Sequence, residues 1–104
     1  MIIVTSESIP GKQIIELKGF VQGSTVRAKH LGRDFAAGLK NLVGGELKGY
    51  TELLNESRQE AVSRMIQKAQ QAGANAIICV RFSTSAITPQ ASEVFCYGTA
   101  VVVQ

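Results

Sequence analysis

Few side chains in this sequence carry soft donor atoms for a metal ion: Cys79, Cys96, His30 and the thioethers of Met1 and Met65. A closed zinc site takes four Cys or His donors, so one chain is short by at least one. No C-x-x-C or H-x-x-H spacing brings two of these donors together locally. Metal binding would therefore depend on contacts between distant segments of the chain.

Cys79 and Cys96 fall in two apolar segments on either side of a turn-like stretch at 84–91, which contains Thr88-Pro89. If the segments pair as an antiparallel hairpin, the register sets Cys79 near Cys96. The pair would then be a candidate site for a soft divalent ion such as zinc or copper. The alternative is that both thiols are buried as small apolar side chains, a common fate of free cysteine.

His30 is the third candidate metal ligand. It lies among Arg27, Lys29 and Arg33, whose charges disfavour the binding of another cation, so a surface role is the alternative. This basic segment has no interleaved aromatic residues, and the net charge of the whole chain is only +3. We therefore expect no nucleic-acid partner.

Catalytic chemistry has little support in the sequence. A single histidine, His30, with no acid–base partner nearby does not form a triad, so we predict that the protein is not an enzyme. Gly44-Gly45 followed by Lys48-Gly49 has elements of a phosphate-binding loop, but the P-loop spacing is absent. These glycines favour a tight turn between helices instead.

The chain is organised around a long amphipathic helix, predicted from Thr51 to Ala72. Thr51 is the predicted N-cap, and Gly73 supplies the left-handed residue that ends the helix. On the polar face, Glu60 lies four residues before Arg64, in the favourable order for an ion pair. The apolar stripe consists of Leu54, Ala61, Val62, Met65, Ile66, Ala69 and Ala72.

Two strands are predicted ahead of the helices. Residues 2–8 form the first, and a turn at 9–12 makes a hairpin-like connection to the second. The second strand starts at Gln13 and alternates strictly between apolar and polar residues, so one face should be buried. Its Gly19 and Gly23 indicate a bulge or a close approach of another backbone. The predicted buried face comprises Ile15, Leu17, Gly19, Val21 and Gly23.

The remaining pattern comprises a short first helix, marked by Leu31, Phe35, Leu39 and Leu42, and two final strands at 76–82 and 93–103. The last strand is apolar on both faces, and one helix layer covers only one of them. We expect a second copy of the chain to cover the other. The sequence thus predicts an α+β fold in the order β-β-α-α-β-β, with a small antiparallel-rich sheet packed on one long helix.

The whole chain has the size of one domain, residues 1–104, and 45% of its residues are hydrophobic. No apolar run reaches the roughly 18 residues of a membrane span, so no membrane partner is expected. No basic n-region opens the sequence, and two cysteines without a signal peptide favour free thiols. We expect a cytoplasmic protein.

Several short motifs match a known family when they are taken together. They are Gly44-Gly45-Glu46, Tyr50-Thr51, Glu56-Ser57-Arg58, Arg64-Met65, Gly73-Ala74-Asn75-Ala76 and Tyr97-Gly98-Thr99-Ala100-Val101. In these the chain resembles the YbjQ-like family, small bacterial and archaeal proteins labelled "putative heavy-metal-binding". The resemblance covers nearly the whole chain.

The resemblance implies an α+β fold assembled into a ring, a homo-oligomer expected to be a pentamer, and metal binding without an established ligand set. Relatives often carry acidic residues in the strand after the Gly73–Ala76 corner, whereas this chain reads Arg81-Phe82-Ser83-Thr84-Ser85. A metal role for that strand is therefore disfavoured. The alternative function is a non-catalytic ring that acts as a scaffold or binds a small ligand without metal.

Overall fold

The computed structural model describes residues 1–27, 48–88 and 91–104. Their elements, in chain order, are β1 (Ile2–Ile3), β2 (Ile14–Arg27), α1 (Lys48–Gln71), β3 (Ala76–Thr88) and β4 (Ala91–Val103). The predicted α+β class is confirmed, with one helix in the described part of the chain. The predicted short helix around Leu31, Phe35, Leu39 and Leu42 lies outside the described residues.

The four strands form one mixed sheet in the order β1-β3-β4-β2. Strand β4 pairs antiparallel with both β2 and β3, whereas β1 runs parallel to β3. The predicted hairpin-like pairing of the first two strands is wrong, because they lie at opposite edges. The turn itself does form: the Lys12 N–H donates to the Ile9 carbonyl at 3.0 Å, and Gly11 has the positive φ of 78° that a type II turn needs. Buried Ile9 packs on the sheet, so the connection crosses the sheet instead of turning back on β1.

Helix α1 ends as the sequence predicts. Gly73 has a φ of 85°, its N–H donates to the Gln70 carbonyl, and the Ala74 N–H donates to the Ala69 carbonyl, both at 3.0 Å. This is the paired hydrogen-bond pattern of a Schellman motif. The helix already includes Lys48, so Thr51 is an interior residue and the predicted N-cap is wrong.

The corner between α1 and β3 is held by Asn75. Its side-chain amide donates to the Val103 carbonyl at 2.9 Å, and its Oδ1 accepts from the Val103 N–H at 2.7 Å. The Asn75 N–H also donates to the Val101 carbonyl. The pairing of β3 with β4 is thereby continued into the corner, which fixes where β3 begins.

The helix approaches the sheet most closely at Gly23 of β2. A Cβ on Gly23 would overlap the carbonyl oxygen of Ala61 and the backbone nitrogen of Met65. Beside it, the Thr25 hydroxyl donates to the Ser57 carbonyl at 3.1 Å, and both of these residues are buried. The sequence prediction that Gly23 marks a close backbone approach is therefore confirmed.

Strand β2 does not alternate strictly, which corrects the sequence prediction. Its register with β4 shifts between Ile14 and Glu16 and again between Leu17 and Gly19. Gly19 has a φ of 110°, consistent with the bulge that its glycine indicated. Each shift moves the following side chains to the other face, so Leu17 lies opposite Val101, and it is 70% exposed rather than buried.

Two apolar clusters lie on the two faces of the sheet. The helix-side core joins α1 to the sheet through Ala61, Met65, Ala69, Val21, Ile77, Val80, Cys96 and Ala100. On the opposite side, which we call the open face, a smaller cluster consists of Ile9, Ala76, Ile78, Val101 and Val103. The helix covers β2 and β4 chiefly, and the open face has no helix over it among the described residues.

Replacing Gly23 by Ala should destabilise the fold, because the added Cβ meets helix backbone that cannot rotate away. We expect a loss of about 1–3 kcal/mol in the free energy of unfolding, measured by chemical denaturation. Gln22→Ala, a change at the exposed neighbouring position, should stay within about 0.5 kcal/mol of the parent. Equal stabilities of the Gly23→Ala variant and the parent would refute the close contact.

Candidate functional site

Cys96 lies in the helix-side core and is completely buried. Its thiol Sγ is 3.6 Å from Met65 Sδ and donates to it. Desolvation by burial raises the pKa of the Cys96 thiol above its ordinary value of 9.0. A raised pKa lowers the fraction of thiolate, which is the form that binds metal and acts as a nucleophile.

Cys79 lies in a bulge of β3. Ile78 lies opposite Thr99, and Arg81 lies opposite Tyr97. Cys79 and Val80 are therefore two residues of β3 opposite a single residue of β4, Gly98. Cys79 has a positive φ of 55°, its N–H donates to the Ser6 carbonyl at 3.0 Å, and its Sγ lies 3.8 Å from the same oxygen. Its half-buried side chain packs against the open-face cluster.

The register separates the two thiols that sequence reasoning brought together. Cys96 lies opposite Phe82, not Cys79, so the predicted juxtaposition is wrong. The hairpin extends further than the sequence predicted, since Thr88 pairs with Ala91, and its register sets position 79 opposite Gly98. The bulge, which adds a residue to β3, then places Cys79 against the open-face cluster while Cys96 faces the helix. Gly98 gives the bulge room, because a Cβ there would lie 2.8 Å from Ile77 Cγ2.

No group of three or more His, Cys, Asp or Glu side chains able to hold a metal ion occurs among residues 1–27, 48–88 and 91–104. His30, the third candidate ligand, lies outside the described residues, as do Gly44-Gly45 of the glycine-rich turn. The metal assignment of Cys79, Cys96 and His30 therefore stays a prediction.

An exposed apolar patch on the open face is the first feature that sequence reasoning missed in part, because an uncovered apolar face was predicted for the last strand but not for β2. Along β2, Leu17 is 70%, Phe20 69% and Val26 55% exposed. The Tyr97 ring of β4 lies 6.3 Å from the Phe20 ring and 5.7 Å from the Phe95 ring, measured between centroids. The aromatic residues at alternate positions 95 and 97 indicated part of this patch from the sequence. The bulges of β2 change which side chains share a face, so the pattern of β2 did not indicate the rest. We define the open-face patch as Ile14, Leu17, Phe20, Val26, Phe95 and Tyr97.

A polar cleft between α1 and β2 is the second missed feature. It has a volume of about 410 Å³ and is lined by Gly23, Ser24, Arg64, Gln67, Lys68 and Gln71. Arg64 donates from Nη1 to the Ser24 carbonyl and from Nη2 to Glu60 Oε1. The predicted ion pair between Glu60 and Arg64 is thus confirmed. The helical spacing placed Arg64 and Lys68 on one polar face, but only the tertiary structure sets β2 beside them.

Comparison with known proteins gives a match over the whole chain. A family profile described as "Putative heavy-metal-binding", YbjQ_1, matches residues 1–104. The chain belongs to the YbjQ-like family. Among its relatives are a UPF0145 protein of Hahella chejuensis, 59% identical over the full length of both chains, and one of Acinetobacter baylyi, 67% identical over 92% of this chain and 89% of the relative.

A solved structure shares the fold of this YbjQ-like chain. It is a protein of unknown function from Pediococcus pentosaceus, assigned to the DUF74 family, and it matches with a TM-score of 0.66 at 19% identity over 100% of this chain and 98% of the other. At that identity the likeness establishes the fold alone. In the described part of the chain, no helix is both long and apolar enough to cross a membrane.

The geometry around Cys96 predicts a protected thiol. In the folded protein Cys96 should react with iodoacetamide at least about tenfold more slowly than in the chain unfolded by guanidinium, because burial excludes the reagent and suppresses the thiolate. Peptide mass spectrometry after timed labelling measures both rates. A Cys79→Ala variant, which leaves Cys96 as the one thiol, is the control, and equal folded and unfolded rates would contradict the structure.

Proposed function

We propose that this protein is a small, non-catalytic binding module that associates with further copies of itself through the open-face patch. The observation that carries this proposal is the exposure of Leu17, Phe20 and Val26 on a face that no described helix covers. Contiguous apolar residues of this kind mark interaction surfaces in soluble proteins. In a ring, the patch of each copy packs on a different surface of its neighbour, so the patch of every copy is removed from water.

The energetics favour a copy of the same chain as the occupant. Full burial of each large apolar side chain stabilises the association by about 1.5–3 kcal/mol, and the patch contains several such side chains. A chain of 104 residues buries a smaller fraction of its surface alone than a larger domain does, so association adds to its core. The family resemblance supports closure into a ring, and we propose five copies.

We further propose that the protein is not an enzyme and that it is cytoplasmic. The chain has one histidine, His30, and the sequence offers it no neighbouring acid–base partner for a catalytic triad. Two free cysteines suit a reducing compartment, which supports a cytoplasmic location.

Soft-metal binding is the second candidate function. The description of the family favours it, and so does the presence of two free thiols. Since Cys79 and Cys96 lie in clusters on opposite faces of the sheet, one chain does not join them at a single ion. A thiol site would then combine half-buried Cys79 with donors of another copy or with His30.

Self-association is tested by placing a charge in the open-face patch. The parent protein should have a mass several times 11.1 kDa by light scattering. Phe20→Asp should shift it to the monomer, because an ionised carboxylate in a buried apolar contact is strongly unfavourable. Ser63→Asp, on an exposed position of α1, is the matched control and should keep the parent mass. A monomeric parent would defeat the proposal.

The metal candidate is tested by elemental analysis of protein purified without a histidine tag. If Cys79 is a ligand, the parent should carry a stoichiometric soft metal such as zinc or copper, and Cys79→Ala should lose most of it, because a thiolate ligand is removed. Cys96→Ala, in the buried core, is the comparison and should retain the metal. No stoichiometric metal in the parent, or metal unaffected by Cys79→Ala, would eliminate the thiol site.

A further inference from the structure

The polar cleft between α1 and β2 has the composition of an anion site. Its six lining residues include two cations, Arg64 and Lys68, two amide side chains, Gln67 and Gln71, and no carboxylate. None of the six has an apolar side chain, so the cleft does not suit an apolar ligand. The two positive charges disfavour a metal cation there.

The guanidinium of Arg64 is held in place before any ligand arrives. One of its nitrogens donates to the Ser24 carbonyl of β2 and the other to the Glu60 carboxylate one turn earlier. Arginine has five N–H donors, and these two contacts leave others available. Glu60 offsets part of the positive charge but does not line the cleft, so it acts by orienting Arg64. A fixed donor loses less conformational entropy on binding than a mobile one.

Lys68 supplies the positive charge of the cleft that Glu60 does not offset. It lies one helical turn beyond Arg64 on the same face, and the described residues give it no ion pair or side-chain hydrogen bond. Gln67 and Gln71 stand beside it with one turn between them and offer amide N–H donors. The floor is Gly23 and Ser24, where the missing Cβ of Gly23 lets the helix lie close enough to β2 for strand backbone to form part of the cleft.

We propose that this cleft binds a small molecule through a phosphate or another tetrahedral oxyanion. Such a group has several acceptor oxygens around a compact negative charge, which matches a fixed guanidinium, an ammonium and amide donors converging on one space. A volume of about 410 Å³ leaves room for more than the oxyanion itself. Phosphate esters and the oxyanions of heavier elements, such as arsenate and molybdate, share this chemistry.

The site is independent of the self-association proposed above. All six lining residues belong to one chain. The helix residues and Gly23 lie on the helix side of the sheet, and Ser24 contributes its backbone carbonyl, whereas the open-face patch lies on the other side. A monomeric Phe20→Asp variant should therefore still bind the anion. This separates a failure of the anion proposal from a failure of the assembly proposal.

The test is a titration of the ¹⁵N-labelled protein with inorganic phosphate, arsenate and molybdate at constant ionic strength, followed by NMR. Saturable shifts should appear at Gly23, Gln67 and Gln71, and chloride and glycerol should not cause them. Lys68→Gln should weaken binding by about tenfold, because a charge-assisted hydrogen bond is lost. Gln67→Glu, which adds a carboxylate to the cleft, should weaken it as well.

Lys12→Gln, an exposed lysine in the turn before β2, is the matched control and should bind like the parent. Tighter binding of phosphate would identify a phosphorylated metabolite as the ligand class, and tighter binding of arsenate or molybdate would identify an oxyanion of a heavier element. Shifts that do not saturate, shifts confined to other residues, or equal affinities of Lys68→Gln and the parent would overturn the proposal.

Discussion

The contact between the backbone of α1 and Gly23 of β2 is the constraint on which the rest of the structure depends. Because Gly23 has no side chain, the helix lies directly on the strand at Ala61 and Met65, and small Ala69 continues the contact toward the C-terminus. Two hydrogen bonds tie the same pair of elements together, from Thr25 to the Ser57 carbonyl and from Arg64 to the Ser24 carbonyl. Helix position, polar cleft and the burial of Cys96 by Met65 all follow from this single approach.

In the described part of the chain, one helix lies against a four-stranded sheet, so only one face of the sheet is covered by a helix. Ile9 closes one end of the open face, where it packs with Ile78 and Val101, but Leu17 and Phe20 remain largely exposed. The apolar area that the described residues leave exposed is the physical basis for proposing a partner on this face. The polar cleft is the complementary feature on the helix side, so the two proposals place protein contact on one face of the sheet and a small anion on the other.

The family description points to metal, and the fold limits how that description can apply. The β3 bulge at Cys79 places this thiol on the open face near Ser6, while Cys96 is sealed in the helix-side core. A thiolate in such a core is disfavoured by desolvation, as the raised pKa of Cys96 reflects. An anion site formed by Arg64 and Lys68 would engage a heavier element as its oxyanion, which needs no thiol.

The sequence by itself determined the features that rest on local physical chemistry. The period of the apolar stripe predicted α1, Gly73 marked its end, Gly19 and Gly23 marked a bulge and a close approach, and the motifs identified the family. Strand pairing was decided only by the tertiary structure, because one inserted residue reverses the face of every side chain that follows. The bulges of β2 and β3 thereby exposed Leu17 and separated Cys79 from Cys96. The cleft likewise exists only where a distant strand meets the polar face of the helix. Gly23 indicated a close approach, but the sequence did not indicate which element approaches.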